Sequence, residues 1–295
     1  MTSQPPPPPQ PEQPAEAVPT CYRHPSRETW VRCQRCDRPI CPDCMRDAAV
    51  GFQCPECVAE GNRGIRQAKT AFGGNIVRTP YVTWAILGIT ALVFGAQLLA
   101  GSAVTAALAM FQPAVALGEY HRLLTVALVH DAGSPLHLLF NGWAIFAIGP
   151  YLERAFGHLR FLAVYLLSAL GGSVLGFWLD PMPTITVGAS GAVFGMFGAV
   201  FVVGRKLKLD VRGIGVVIAL NLAITFIFPL LSSNARISWT GHVGGLIVGT
   251  LLAGALAYAP KSNRTLWHVL TLAGAFVLLG VLVVVRTSAI LSGAS

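Results

Sequence analysis

Four polar side chains stand inside stretches that are otherwise apolar: His137, Asn141, Ser190 and His242. A polar or ionisable group inside an apolar run of helix length is costly to bury and is a functional candidate by default. Ser190 lies in GASGAVFG (188–195), where Gly188 and Gly191 flank the hydroxyl and let backbone approach it. A serine hydroxyl is a weak nucleophile until a base takes its proton, and an imidazole is the usual base. His242, in GHVGG (241–245), can be that base. His137 and Asn141 are spaced i, i+4 and share a helix face. Together with the N–H of Ser190, which stands at the start of a helix, they can donate hydrogen bonds to an oxygen gaining negative charge. Phe194, four residues after Ser190, can pack against the imidazole and fix its plane. Neither Glu153, near the far end of its segment, nor Asp180, in a gap, is placed to orient His242. The set reads as a Ser–His dyad for acyl transfer that needs no catalytic cofactor.

Each of these residues also has a plainer role. Gly191, Gly195 and Ala199 form a small-xxx-small row in which a serine is ordinary. A buried histidine is often bonded to a backbone carbonyl, and an i, i+4 His–Asn pair can be an interhelical bond worth ~0.6 kcal/mol. The chemical reading is favoured by a second row, Gly241, Gly245 and Gly249, which bares one face of its helix. That face can meet the small row after Ser190 closely enough for His242 to reach the hydroxyl.

A second constellation is confined to the N-terminal fifth of the chain. All seven cysteines lie between Cys21 and Cys57, in four pairs at x2 spacing: Cys21 with His24, Cys33 with Cys36, Cys41 with Cys44, and Cys54 with Cys57. An odd count excludes a fully paired disulfide set, and the spacing favours metal. Eight Cys/His ligands fill two tetrahedral Zn2+ sites, each with a full ligand set and therefore structural. So few apolar residues accompany them that metal binding supplies the folding energy.

The elements that carry these groups follow from composition. The 295 residues are 54% hydrophobic and 12% charged, against the ~25% charged typical of soluble domains. Seven apolar segments, at about 80–100, 137–155, 159–179, 189–205, 213–231, 239–259 and 266–286, each approach the ~20 residues needed to cross a bilayer. The expected fold is an all-α membrane bundle with a small N-terminal zinc-binding domain. Residues 1–20 read as a Pro-rich disordered tail, 21–60 as the zinc domain, 61–79 as a basic linker on an anionic membrane face, and 80–288 as the transmembrane domain. The start has neither basic n-region nor apolar h-region, so no cleavable signal is expected. With the N-terminus inside, inner gaps carry eight Lys and Arg and outer gaps three, and ten more precede residue 80. This distribution sets the N-terminus in the cytosol and the C-terminus outside. It also accounts for the net charge of +8 without a nucleic-acid partner. The thiols then face a reducing compartment, which argues against disulfides. The gap at 101–136 is too apolar for a soluble loop and too broken to span, and is expected to lie in the interface.

In this order, HLLFN (137–141), GASGAVFG and GHVGG resemble the signatures of rhomboid proteases. EYHRLLTVALVH (119–130) is similar to that family's first loop, with Arg122 at its arginine, and YLERAFG (151–157) is similar to the stretch after its second helix, with Glu153 and Arg154 matching. The resemblance covers residues 80–260 and implies a six-helix core plus one extra C-terminal helix. It implies Ser190 as nucleophile, His242 as general base, and His137 and Asn141 as oxyanion donors. It further implies a lipid-embedded serine endopeptidase that cleaves single-pass membrane proteins near the outer face. Three departures stand out: His121 where a tryptophan is usual, Phe194 where some members have tyrosine, and a long DAGSPL interval between His130 and His137. The cysteine pattern resembles B-box zinc fingers, which implies a cross-brace. One ion would take Cys21, His24, Cys41 and Cys44, and the other Cys33, Cys36, Cys54 and Cys57. Sequential pairing of neighbouring motifs is the alternative. The zinc domain would serve a cytoplasmic protein partner or regulation, and the basic inner loops suggest a bacterial plasma membrane. The rival readings are a catalytically silent relative that binds membrane helices for quality control, and a transporter or channel, for which neither inverted repeats nor an intramembrane carboxylate relay is evident.

Overall fold

The computed structural model describes residues 17–63, 68–231 and 237–293. The tail expected up to residue 20 therefore lies mostly outside the described residues, as do 64–67 of the linker and Arg236 of the charge count. The chain divides into two compact units, 1–67 and 68–295.

The first unit is small and irregular. A hairpin pairs β1 (Thr20–Cys21) with β2 (His24–Glu28). A second hairpin pairs β3 (Arg46–Asp47) with β4 (Phe52–Gln53), and α1 (Pro55–Arg63) closes the unit. Its buried interior is almost wholly cysteine: Cys21, Cys33, Cys41, Cys44, Cys54 and Cys57 surround Ile40, with Tyr22 and Met45 packed outside. A core of one isoleucine and six thiols cannot offset the chain entropy of ordering some 45 residues by apolar burial alone.

The second unit is a helix bundle. Its elements are α2 (Tyr81–Ala100), α3 (Ser102–Leu108), β5 (Met110–Phe111), α4 (Gln112–Ala116), α5 (Arg122–Thr125), α6 (Pro135–Phe156) and α7 (His158–Leu179). There follow β6 (Ile185–Thr186), α8 (Ser190–Lys206), α9 (Arg212–Leu231), α10 (Trp239–Ala257) and α11 (Arg264–Leu291). Four of these helices, α2, α7, α10 and α11, are long and apolar enough to cross a membrane. On α11 most side chains face outward, although they are as apolar as any in the chain. Such a surface is stable only against lipid.

The centre of the bundle is α8, α10 and α7, and small residues let them touch. A Cβ on Gly245 or Gly249 of α10 would collide with the backbone of α8 at Gly191 and Gly195. A Cβ on Gly172 of α7 would lie 2.6 Å from the carbonyl oxygen of Gly241. Where lipid tails are as apolar as the side chains, close backbone approach of this kind is what holds helices together.

Polar groups tie down the periphery. Glu153 of α6, fully buried, accepts the N–H groups of Val82 (3.0 Å) and Thr83 (2.9 Å) and the Thr83 hydroxyl (2.6 Å), and pairs with His158. It thus satisfies the open N-terminus of α2 and places negative charge at the positive end of that helix. Arg122 donates to the carbonyls of Ala106 (2.7 Å) and Ala109 (2.9 Å), closing the end of α3, and pairs with Glu119. On α11, Leu282 accepts from Trp178 Nε1 (3.1 Å), while Arg286 donates to the Phe177 carbonyl (3.2 Å). His268 accepts from Arg160 (2.7 Å) and donates to the Leu256 carbonyl (3.0 Å), joining α7, α10 and α11.

Candidate active site and metal centres

Three helices begin at one place. His137 is in the first turn of α6, Ser190 is the first residue of α8, and His242 is in the first turn of α10. The segment before Ser190 is held from several sides. β6 pairs antiparallel with β5, Thr184 N–H donates to Gln112 Oε1 (2.6 Å), and Gly188 N–H donates to the Val126 carbonyl (3.0 Å). Gly188 has φ +120°, which side chains rarely adopt, and a Cβ there would lie 2.7 Å from the His137 ring. The glycine is therefore required twice, by the turn into α8 and by the imidazole seated on it. The contact brings His137 to the serine loop, with His130 packed edge-on behind it at 5.2 Å between ring centroids.

His242 is buried and held on two sides. Phe194 stacks on its face, with ring centroids 4.1 Å apart and planes 14° from parallel. Nδ1 is 2.7 Å from the hydroxyl of Thr225 on α9. No carboxylate bonds the ring among the described residues. Asp180 instead accepts from Thr240 (2.8 Å), two residues before His242, and Glu153 is engaged at the start of α2. Ser190 and His242 are not hydrogen-bonded to each other among the described residues. Their chain neighbours Gly191 and Gly241 are in contact, and a Cβ on Gly191 would sit 3.2 Å from the Gly241 carbonyl oxygen. Catalytic hydrogen bonds are often long in the ligand-free state and tighten with substrate.

Asn141 is buried, and its side-chain amide donates to the His137 carbonyl one turn back (2.8 Å). An amide carries two N–H bonds, so one remains for another acceptor. A cavity of about 30 Å³ lies beside Ser190, lined by Gly188, Gly191, Gly241, Ser238, Asp180 and Ser173 among others. This is enough for a water molecule with polar partners. The cavity thus places the Ser190 hydroxyl beside space for one water molecule. The Thr225 contact with His242 is one that the sequence did not single out.

In the first unit the eight metal-ligand candidates form two groups: Cys21, His24, Cys41 and Cys44, and Cys33, Cys36, Cys54 and Cys57. First and third motifs share one group, second and fourth the other, so the topology is a cross-brace and not sequential. Ligand atoms in each group lie within 4.8 Å of one another. His24 Nδ1 is 3.2 Å from Cys41 Sγ and 3.4 Å from Cys44 Sγ, and the Cys36 and Cys54 sulfurs are 3.8 Å apart. A tetrahedron with ~2.3 Å metal–sulfur bonds has edges of about 3.8 Å, so both groups fit Zn2+. Burial raises the cost of charge on Cys21 and Cys33, yet backbone N–H donors hold both thiols down at about 6. Burial and neighbouring sulfurs push Cys44 up to about 11. Thiols that cannot all ionise together are what a divalent cation resolves.

Comparison with known proteins points to one family. The rhomboid domain, as a sequence family, matches residues 117–259, a span that holds His137, Asn141, Ser190 and His242. Rhomboid protease GluP of Bacillus subtilis is 37% identical over 152 residues, which are 50% of this chain and 28% of that protein. YdcA of the same bacterium is 40% identical over 140 residues, 47% of this chain and 68% of its own length. Rhomboid protease AarA of Providencia stuartii is 28% identical over 176 residues, 50% of this chain and 59% of its own.

Proposed function

The chain belongs to the rhomboid family, and from that premise we propose that it is an intramembrane serine endopeptidase working through Ser190 and His242. The observation that carries this reading is the meeting of three helix starts, with His137 on Gly188, Gly191 on Gly241, and Phe194 stacked on His242.

In the proposed reaction the Ser190 hydroxyl attacks a substrate carbonyl while His242 takes its proton. The tetrahedral oxyanion is stabilised by the Ser190 N–H, the free N–H of Asn141 and the His137 ring. The N–H groups in the first turn of α8 lack helical partners, and the helix dipole favours negative charge there. The imidazolium then gives its proton to the leaving amine. A water from the cavity beside Ser190, deprotonated by His242, hydrolyses the acyl-enzyme and restores the serine. No metal takes part in these steps.

The substrates are transmembrane segments of single-pass proteins, cut near the outer face of the bilayer. A substrate helix must unwind locally to offer its carbonyl, and Gly or other weak helix formers at the site lower that cost. Polar groups and irregular backbone at this depth are tolerable around an aqueous cavity. The positive-inside asymmetry of the sequence supports a cytoplasmic N-terminus, an outward C-terminus and residence in a bacterial plasma membrane. The two N-terminal groups would hold structural Zn2+, which supplies folding energy to a module suited to a cytoplasmic protein partner.

The test is cleavage of a single-pass substrate by the full chain in liposomes. Ser190→Ala and His242→Ala should each abolish cleavage. Full activity in either variant would rule out the dyad, and helix binding without cleavage by the unaltered protein would favour the silent-relative reading.

A further inference from the structure

A dyad without a carboxylate leaves one question open: what keeps the base in its useful tautomer. Imidazole has two nitrogens, and the one that takes the serine proton must be unprotonated, so the other must carry hydrogen. The ring of His242 has Phe194 on its face and the Thr225 hydroxyl 2.7 Å from Nδ1. The Thr225 hydroxyl has a single proton, and it is used: Oγ1 donates to the Asn221 carbonyl one helix turn back, at 2.7 Å. What Oγ1 offers to Nδ1 is therefore a lone pair. Nδ1 must carry the hydrogen, and Nε2 is left as the proton acceptor.

We infer that Thr225 is a positioning residue for the base, holding His242 in the Nδ1–H tautomer through the relay Asn221 carbonyl, Thr225 hydroxyl, Nδ1. Burial supports the assignment. Thr225 is 2% exposed, and among the described side chains of α9 it is the buried one. Ile214, Ile218 and Leu222 of α9 also pack on the core, but the most buried described side chain of the helix is a hydroxyl against the imidazole, where helix packing alone would select an apolar group. The chemistry suits the setting. A carboxylate here would carry a full charge into an apolar surrounding. A hydroxyl whose own proton is engaged fixes the tautomer without one. When Nε2 takes the serine proton the ring becomes cationic, and the Nδ1–H to Oγ1 bond becomes charge-assisted and stronger. Thr225 acts through His242 and touches no substrate atom.

The inference rests on the protease reading, and the experiment separates the two. The full chain in liposomes is assayed on a single-pass substrate as the unaltered protein and as Thr225→Val, Thr225→Ala, Thr225→Ser and Ser190→Ala. Loss of one hydrogen bond to a group that becomes charged should lower kcat by about 10- to 100-fold. Thr225→Val and Thr225→Ala should both show this with KM unchanged, and Thr225→Ser should restore kcat, because it keeps the hydroxyl and loses only the methyl. An unaltered kcat in Val and Ala, or a Ser variant as poor as Val, would overturn the inference. Activity surviving in Ser190→Ala would overturn the protease reading beneath it.

Discussion

At Gly188 a backbone requirement and a packing requirement coincide, so its replacement tests both. With φ +120° and the His137 ring 2.7 Å from any added Cβ, Gly188→Ala must strain the turn or displace the imidazole. Strain of this type costs about 1–3 kcal/mol. Kinetics on the variant should show kcat lowered by an order of magnitude or more while the α-helical circular dichroism is retained. Phe194 gives a graded test. Its stack on His242 is worth about 0.5–1.5 kcal/mol beyond area burial, so Phe194→Leu should lower kcat by up to ~10-fold and Phe194→Tyr should keep most of it. At this scale the sequence carried much of the site. Polar residues in apolar runs are conspicuous, and in the structure His137 lies against Gly188, two residues before Ser190, while Phe194 stacks on His242. Thr225 was not legible for the same reason in reverse. A threonine in an apolar helix commonly bonds its own backbone, and only the facing of α9 toward α10 reveals the second partner.

At the scale of helices, the fold depends on two glycine rows meeting. Gly245→Val should be among the most damaging substitutions outside the reacting groups, because the neighbour it meets is the Gly191 backbone, which cannot rotate aside. Overpacking costs typically 1–3 kcal/mol and more where backbone must move. A lower thermal midpoint together with lost cleavage is expected, whereas Gly254→Val on the same helix, with open space around it, should be silent in both. The rows could be read from spacing of four, since that spacing defines one helix face. The role of Glu153 could not, because it caps α2 from 70 residues away, and a cap between distant helices has no local signature. The gap at 101–136 was legible as non-spanning, but its short helices and the pairing of β5 with β6 arise from contacts with the loop before Ser190.

Across the whole molecule, two units of different physics share one chain. The membrane unit holds itself by helix contacts and lipid exposure, and the N-terminal unit has thiols where a core would be. Metal analysis of the purified protein should find two zinc ions per chain, and chelation should unfold residues 17–63 while the α-helical signal of the bundle persists. Acid should act like a chelator. Cys44 binds its proton up to about 11 when metal-free, so an ion at neutral pH must displace it, and zinc affinity should fall steadily as pH drops. Affinity independent of pH would contradict thiolate ligation. The most direct test of the catalytic account is labelling of the intact protein in liposomes with a serine-directed fluorophosphonate, followed by mass spectrometry of the adduct. A single adduct on Ser190, lost when His242 is replaced by alanine, is expected. An adduct on another residue, or labelling of Ser190 that is indifferent to His242, would contradict it.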